Sequence, residues 1–167
     1  MLYLLDANVL IDANRDYYSL DRVPEFWEWL EYEGREGNVK IPIDVFEEIK
    51  VGDDELADWA KQKETESALL LKEDADPVKV SRVTNDGYAA DLTDDEIEKL
   101  GRDPFLIAYA LDHDRQRCVV TTEASKPKRQ RANRHVPDLC DMFNIPCSHT
   151  FEFVRDLNFR TNWKELV

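Results

Sequence analysis

Four carboxylates of this sequence stand where the ends of neighbouring strands would bring them together. Asp6 directly follows a short apolar run, and Glu48 lies in the first helical turns after a second run. Asp103 precedes an apolar helix, and Glu123 follows a third run. Short apolar runs bounded by polar residues are typical of strands buried on both faces. Because the carboxyl ends of parallel strands share one edge of a sheet, we expect the four carboxylates at that edge.

Convergent carboxylates predict a bound cation. Carboxylates held together repel one another unless a cation lies among them, and oxygen ligands alone favour Mg²⁺ or Mn²⁺. Such an ion activates water and stabilises charge on a phosphodiester. Taken singly, the residues have simpler explanations. The pair Asp6 and Asn8 is also typical of a turn, and Asp103 stands where a plain helix N-cap is expected.

A basic segment follows Glu123 and contrasts with the rest of the chain, whose net charge is −14. Its five cations are Lys126, Lys128, Arg129, Arg131 and Arg134. The overall charge argues against nucleic-acid binding by bulk electrostatics. A local basic loop beside the carboxylates would instead hold a phosphate backbone. A solvated loop without a ligand is the alternative.

The composition indicates one cytoplasmic domain covering residues 1–167, with 43% hydrophobic and 35% charged residues. No apolar run approaches the roughly 18 residues that cross a bilayer, so we expect no membrane association. The N-terminus carries neither a basic segment nor a cleavage site of a signal peptide. Cys118, Cys140 and Cys147 do not form an even set, which favours reduced thiols, and their spacing with nearby histidines matches no zinc signature.

Strands and helices are predicted to alternate along the chain. Strands are expected at residues 2–5, 39–43, 118–120 and 144–147, with residues 68–71 either an extra strand or a helix end. Helices are expected at residues 10–18, 24–34, 44–50, 53–66, 77–90, 93–100, 104–111, 136–143 and 150–157. The alternation predicts an α/β fold with three α/β/α layers around a short, mainly parallel central sheet.

Four segments, in order, resemble the motifs of PIN-domain ribonucleases. They are Leu4-Leu5-Asp6-Ala7-Asn8-Val9-Leu10-Ile11, Val45-Phe46-Glu47-Glu48-Ile49, Asp103-Pro104-Phe105-Leu106-Ile107-Ala108-Tyr109-Ala110 and Val119-Val120-Thr121-Thr122-Glu123. Within that group, the chain is similar to the VapC-type toxins of bacterial toxin–antitoxin modules. The resemblance covers almost the whole chain and implies a PIN-like domain.

The resemblance also implies roles for single residues. Asp6 and Asp103 would be the central metal ligands, with Glu48, or Glu47 in the other register, as the helix glutamate. Glu123 takes the place of a usual aspartate as catalytic acid and metal ligand, and Asp138 would be an additional acid on the metal. The polar supports of the site would be Asn8 and Thr121.

By the same resemblance, the protein would be a Mg²⁺- or Mn²⁺-dependent endoribonuclease. It would be the toxin of a type II module, with RNA as substrate, an antitoxin protein as partner and a homodimer as an open alternative. A catalytically inactive PIN-like module that binds protein or RNA is the chief alternative. A flavodoxin-like phosphotransfer receiver is weaker, because the chain lacks an acidic pair after the first strand.

Overall fold

The central sheet has five strands, all parallel, in a computed structural model that describes residues 1–113 and 116–167. The strands are β1 Leu2–Leu5, β2 Val39–Pro42, β3 Leu70–Leu71, β4 Arg117–Thr121 and β5 Cys147–His149. Their order across the sheet is β3-β2-β1-β4-β5. The chain winds outward from β1 to β3 and then returns to the other side of β1. The order therefore reverses between β1 and β4, the point at which open α/β sheets bind their ligands.

The register of β1 against β4 sets the position of the site residues. Leu5 of β1 is paired with Val120 of β4. The next residues, Asp6 and Thr121, consequently leave the sheet side by side at its carboxyl edge.

Helices cover both faces of the sheet and complete three α/β/α layers, which confirms the predicted fold class. The helices are α1 Ala7–Asp12, α2 Pro24–Arg35, α3 Ile43–Lys50, α4 Glu55–Ala60, α5 Lys63–Leu69, α6 Pro77–Arg82, α7 Asp94–Leu100, α8 Asp103–Ala110, α9 Val136–Met142 and α10 Thr150–Asp156. Two π-helical turns, Ala13–Tyr17 and Val83–Tyr88, and two 3₁₀ turns, Arg131–Asn133 and Trp163–Glu165, complete the regular structure of the described residues. None of the helices in residues 1–113 and 116–167 combines the length and apolar character needed to cross a membrane.

The core lies around β1 and β4. Leu4, Leu5, Val119 and Val120 are fully buried, as expected for strands with helices on both faces. On one side of the sheet the rings of α2 pack against those of α10 and the C-terminal segment. This packing covers one face of the sheet with aromatic side chains.

Four predicted elements differ from the observed ones. The helix predicted for residues 10–18 begins at Ala7 and changes to a π-turn after Asp12. The helix predicted for residues 53–66 divides into α4 and α5, because Asp54 caps α4 and the chain becomes extended at Gln62. The helix predicted for residues 77–90 changes to a π-turn after Arg82. The strand predicted for residues 144–147 begins only at Cys147, because Asn144 takes a left-handed conformation with φ 55°.

Candidate active site at the carboxyl edge of the sheet

Asp6 is a buried carboxylate directly after β1, with 6% of its surface exposed. The Thr121 hydroxyl donates to Asp6 Oδ2 at 2.8 Å. The backbone N–H of Asn8, in the first turn of α1, lies close enough to lower the pKa of the carboxyl, although it forms no regular cap bond. Burial outweighs both hydrogen bonds and raises the pKa of Asp6 to about 6, with smaller contributions from Glu123 and Glu48.

Thr121 connects Asp6 to the loop after β4. Its Oγ1 donates to Asp6 and accepts a hydrogen bond from the backbone N–H of Glu123 at 3.2 Å. The Glu123 carboxylate in turn accepts from the backbone N–H of Val136, the first residue of α9, at 2.8 Å. The threonine therefore holds Asp6 in one orientation, and the helix N-terminus holds Glu123 beside it.

Asp103 is the most perturbed carboxyl of this edge. It is the first residue of α8, since Arg102 occupies the cap position, so the simpler explanation of Asp103 as the N-cap is wrong. Burial raises the pKa of Asp103 to about 8, and the charges of Asp6, Glu123 and Glu48 add to the effect. Asp6 loses its proton at the lower pH, so its negative charge then raises the pKa of Asp103.

Glu48 faces the aspartates, whereas Glu47 does not. Both glutamates are exposed on α3. Glu48 raises the pKa of Asp6 and of Asp103, while Glu47 lies 3.0 Å from the Nζ of Lys50 and forms an ion pair with it. Of the two registers left open by the sequence, the structure favours Glu48 at the site.

The donor set suits a hydrated Mg²⁺ better than a tightly caged ion. Within the described ranges, no three Asp, Glu, His or Cys side chains are placed so as to hold one metal ion. Mg²⁺, however, keeps several water ligands and commonly binds one or two carboxylates. Asp6 and Asp103 fit such direct ligands, because each is kept partly protonated by burial and like charge and would be relieved by a cation. Glu48 and Glu123 fit as acceptors for the ion's water.

Asp138 and Asn8 are placed differently from the expected ligand and support. The two carboxylate oxygens of Asp138 accept from the Ser125 hydroxyl at 2.5 Å and from the backbone N–H of Lys126 at 2.9 Å. Asp138 thus anchors the loop that follows Glu123. The residue Asn8 is exposed, and its contribution to Asp6 comes from its backbone amide.

The basic loop divides into paired and unpaired cations. The Arg131 guanidinium lies 2.7 Å from Asp91 and 2.8 Å from Glu96, which lowers the pKa of Glu96 to about 2. Arg134 donates to the backbone oxygen of Gly87. The side chains of the remaining cations are exposed and form no hydrogen bond or ion pair with any described residue; they are Lys126, Lys128 and Arg129.

Tyr88 belongs to the acidic edge, although the sequence gives no sign of it. Its side chain is buried, and its hydroxyl lies near Asp103 and Glu123. Burial raises the pKa of Tyr88 well above the usual range, and the charges of the two acids add to the effect. The sequence predicts an ordinary helix here, with Tyr88 as one of its apolar positions. No spacing in the sequence indicates that a π-turn directs this ring to the acidic edge.

Fold and site together define a parallel α/β protein with an acidic centre at the switch point between β1 and β4. The chain belongs to the family described as "Domain of unknown function (DUF4411)", whose model matches residues 3–161. No curated protein matches the chain. No solved structure matches it either.

Proposed function

We propose that this protein is a Mg²⁺- or Mn²⁺-dependent endoribonuclease. The observation that carries the proposal is the raised pKa of two buried aspartates at the switch point. Burial is the main cause for both; the charges of Glu123 and Glu48 add to it at Asp6, and those of Asp6, Glu123 and Glu48 add to it at Asp103. Carboxylates with raised pKa values in such a position are typical of functional sites. Like charges held together lower the stability of a fold, so stability does not explain their presence. The order of the four PIN-like segments supports RNA as the substrate.

The ion, when bound, would supply an activated water and stabilise negative charge on the phosphodiester. Asp6 and Asp103 would hold it, with Asp6 kept in one orientation by the Thr121 hydroxyl. Glu48 and Glu123 would orient its water molecules, and Glu48 is the more accessible to substrate. The exposed Lys126, Lys128 and Arg129 would contact the phosphate backbone.

The test is single-turnover cleavage of a random-sequence RNA pool with Mg²⁺ or Mn²⁺ and with EDTA. Asp103→Asn should reduce the rate by about 10³-fold, since several kcal/mol of transition-state stabilisation depend on the ion. Glu48→Gln should reduce it by about 10- to 100-fold. Glu47→Gln is the matched control from the same helix and should cleave like the unmodified protein.

The outcome separates the nuclease from the binding module. Cleavage that survives EDTA or Asp103→Asn would overturn the proposal. Metal-independent binding of RNA or protein without cleavage would establish the inactive PIN-like module instead.

We further propose that the nuclease acts in the cytosol as the toxin of a type II module. This finer assignment is supported by the likeness to VapC-type toxins and by three cysteines without a disulfide between them in the described structure. Induced expression in bacteria should arrest growth, and Asp103→Asn should abolish the arrest. A small upstream reading frame with a DNA-binding pattern, sought next to the gene, would encode the antitoxin; its co-expression should restore growth and yield a complex that co-purifies with the chain. Growth arrest by Asp103→Asn as strong as by the unmodified protein would contradict the toxin assignment.

A further inference from the structure

Tyr88 buries a hydroxyl without a regular hydrogen bond. Its side chain is 6% exposed, and its Oη makes no hydrogen bond of standard geometry with any residue that the structure describes. A phenol buried in this way loses its hydrogen bonds to water, at a cost that folded proteins normally avoid. A hydroxyl kept at such a position indicates a function for it.

The local backbone directs this ring inward. Tyr88 ends the π-turn Val83–Tyr88, closed by a hydrogen bond from the N–H of Ala89 to the carbonyl oxygen of Thr84 at 3.1 Å. Single π-turns recur at functional sites, because the additional residue redirects a side chain. The preceding Gly87 is tightly packed: a Cβ there would lie 3.0 Å from side-chain atoms of Leu139 and Phe143, which would have to move. The Arg134 guanidinium holds the carbonyl of Gly87.

The neighbours of the hydroxyl are the acids of the candidate site. The π-turn packs against α8, which begins with Asp103. Among the charges that act on the Tyr88 hydroxyl, that of Asp103 has the largest effect, followed by that of Glu123. The contact with the tyrosine opposes the upward shift of the Asp103 pKa, as a donated hydrogen bond does. A poorly aligned contact of this kind already couples the two groups in the free protein, and we expect it to become regular when the site is occupied.

We infer that Tyr88 is a positioning residue, whose hydroxyl donates to the Asp103 carboxylate and holds it toward the ion. The inference rests on the proposed nuclease site. Tyr88 is too deeply buried to touch RNA, so it acts through Asp103. An acid in direct contact with the ion needs a second donor on its other oxygen, and Tyr88 supplies that donor as Thr121 does for Asp6.

The first test needs neither cleavage nor metal. A double-mutant cycle combines Tyr88→Phe with Asp103→Ala and measures urea unfolding in EDTA. Alanine replaces Asp103 because asparagine would still accept the hydrogen bond. Tyr88→Phe should raise the unfolding equilibrium constant about tenfold when Asp103 is present and change it little when residue 103 is alanine. Equal effects in the two backgrounds would show that the hydrogen bond does not exist and would overturn the inference.

The second test measures Mn²⁺ affinity by calorimetry and the single-turnover rate at saturating RNA. Tyr88→Phe should weaken Mn²⁺ binding by about 10-fold or more and slow cleavage, with RNA affinity unchanged. Tyr109→Phe is the matched control: it is also buried, also lies on the α8 side of the sheet, and its hydroxyl contacts Asp44 at 3.3 Å, away from Asp103. The control should lower stability and leave Mn²⁺ affinity intact.

The remaining outcomes are distinguishable. Coupling to Asp103 with unchanged Mn²⁺ affinity and cleavage in Tyr88→Phe would overturn the positioning role alone. An unmodified protein that neither binds Mn²⁺ nor cleaves RNA would overturn the proposed function and the positioning role with it, whatever the cycle shows for the hydrogen bond.

Discussion

The two ends of β4 differ in whether a buried charged group has a partner of opposite charge. At the start of the strand, the buried Arg117 donates to both carboxylate oxygens of Glu73 at 2.8 and 2.9 Å and to the backbone oxygen of Tyr109 at 2.8 Å. At the end of the strand, Thr121 contacts Asp6, and Asp6 is near three further acids. The first cluster contains its own counter-charge. In the second, no lysine or arginine of the described residues pairs with the acids, and the Nδ1 of His135, charged only when protonated, lies 4.0 Å from Glu123.

We interpret this difference as one between a structural cluster and the functional site proposed above. Burial of ions is tolerated when a partner of opposite charge and good geometry is present, as it is for Arg117 and Glu73. Carboxylates that keep raised pKa values without such a partner lower the stability of the metal-free fold. The chain retains them at the switch point, where an exogenous cation would compensate them.

The largest effect expected from this comparison is a fall in stability with pH. The folded-state pKa of Asp103, about 8, lies above the ordinary value of 3.8 expected in the unfolded chain. The folded protein therefore binds more protons than the unfolded chain between about pH 4 and pH 8, and the free energy of unfolding falls as pH rises through that window. In EDTA the loss for Asp103 should be on the order of 2–5 kcal/mol by pH 8, measured by urea unfolding at several pH values.

Asp103→Asn is the control for that titration. It should flatten the profile above pH 6 and leave the smaller fall due to Asp6, whose pKa is about 6. Saturating Mg²⁺ should restore stability at pH 8, because the ion binds only the folded site. A profile that rises toward pH 8 in EDTA would contradict the assignment of uncompensated charge to this edge.

Removing the counter-charge at the other end of β4 should have the next largest effect. Arg117→Met keeps the length of the side chain but leaves the Tyr109 carbonyl and the Glu73 carboxylate without their donor. The free energy of unfolding should fall by about 2–3 kcal/mol. Mn²⁺ affinity should not change, because no residue of the acidic edge is touched. Glu73→Gln should cost less, since 47% of the Glu73 side chain is exposed.

The fold was predictable because its signals are local. The apolar runs predicted β1, β2 and β4, and Thr93 with Glu96 predicted the capping box that starts α7. Gly101, with φ 55°, ends that helix as expected. The strand predicted at residues 144–147 begins later in the structure, because Asn144 takes a left-handed turn conformation. The composition of the segment does not reveal this, since asparagine also occurs outside turns.

The site was predictable only in part. Motif order and strand ends brought out Asp6, Glu48, Asp103 and Glu123, whose charges act on one another in the structure. The contribution of Tyr88 depends on a π-turn and on contacts between residues far apart in sequence, so no local pattern contains it. The same limit applies to the basic loop, whose composition does not show that Arg131 is already paired with Asp91 and Glu96.

Paired and unpaired charge also divide the basic loop, and the smallest predicted effect follows from that division. Replacing Lys126, Lys128 and Arg129 together with glutamine should weaken RNA binding and lower the slope of log affinity against log salt. The slope should fall by about 2, because each phosphate of a single strand that a cation neutralises adds roughly 0.7 to it.

Arg131→Gln is the matched control. Its guanidinium is held by Asp91 and Glu96, so the salt slope should stay the same while the loop loses stability. Both variants should keep their Mn²⁺ affinity, because Asp6 and Asp103 are untouched. Measuring how the triple variant binds an antitoxin identified by co-expression distinguishes the two ligands that the loop could hold. A triple variant that no longer binds the antitoxin but keeps the RNA salt slope would assign the unpaired cations to the antitoxin, and RNA would then enter elsewhere.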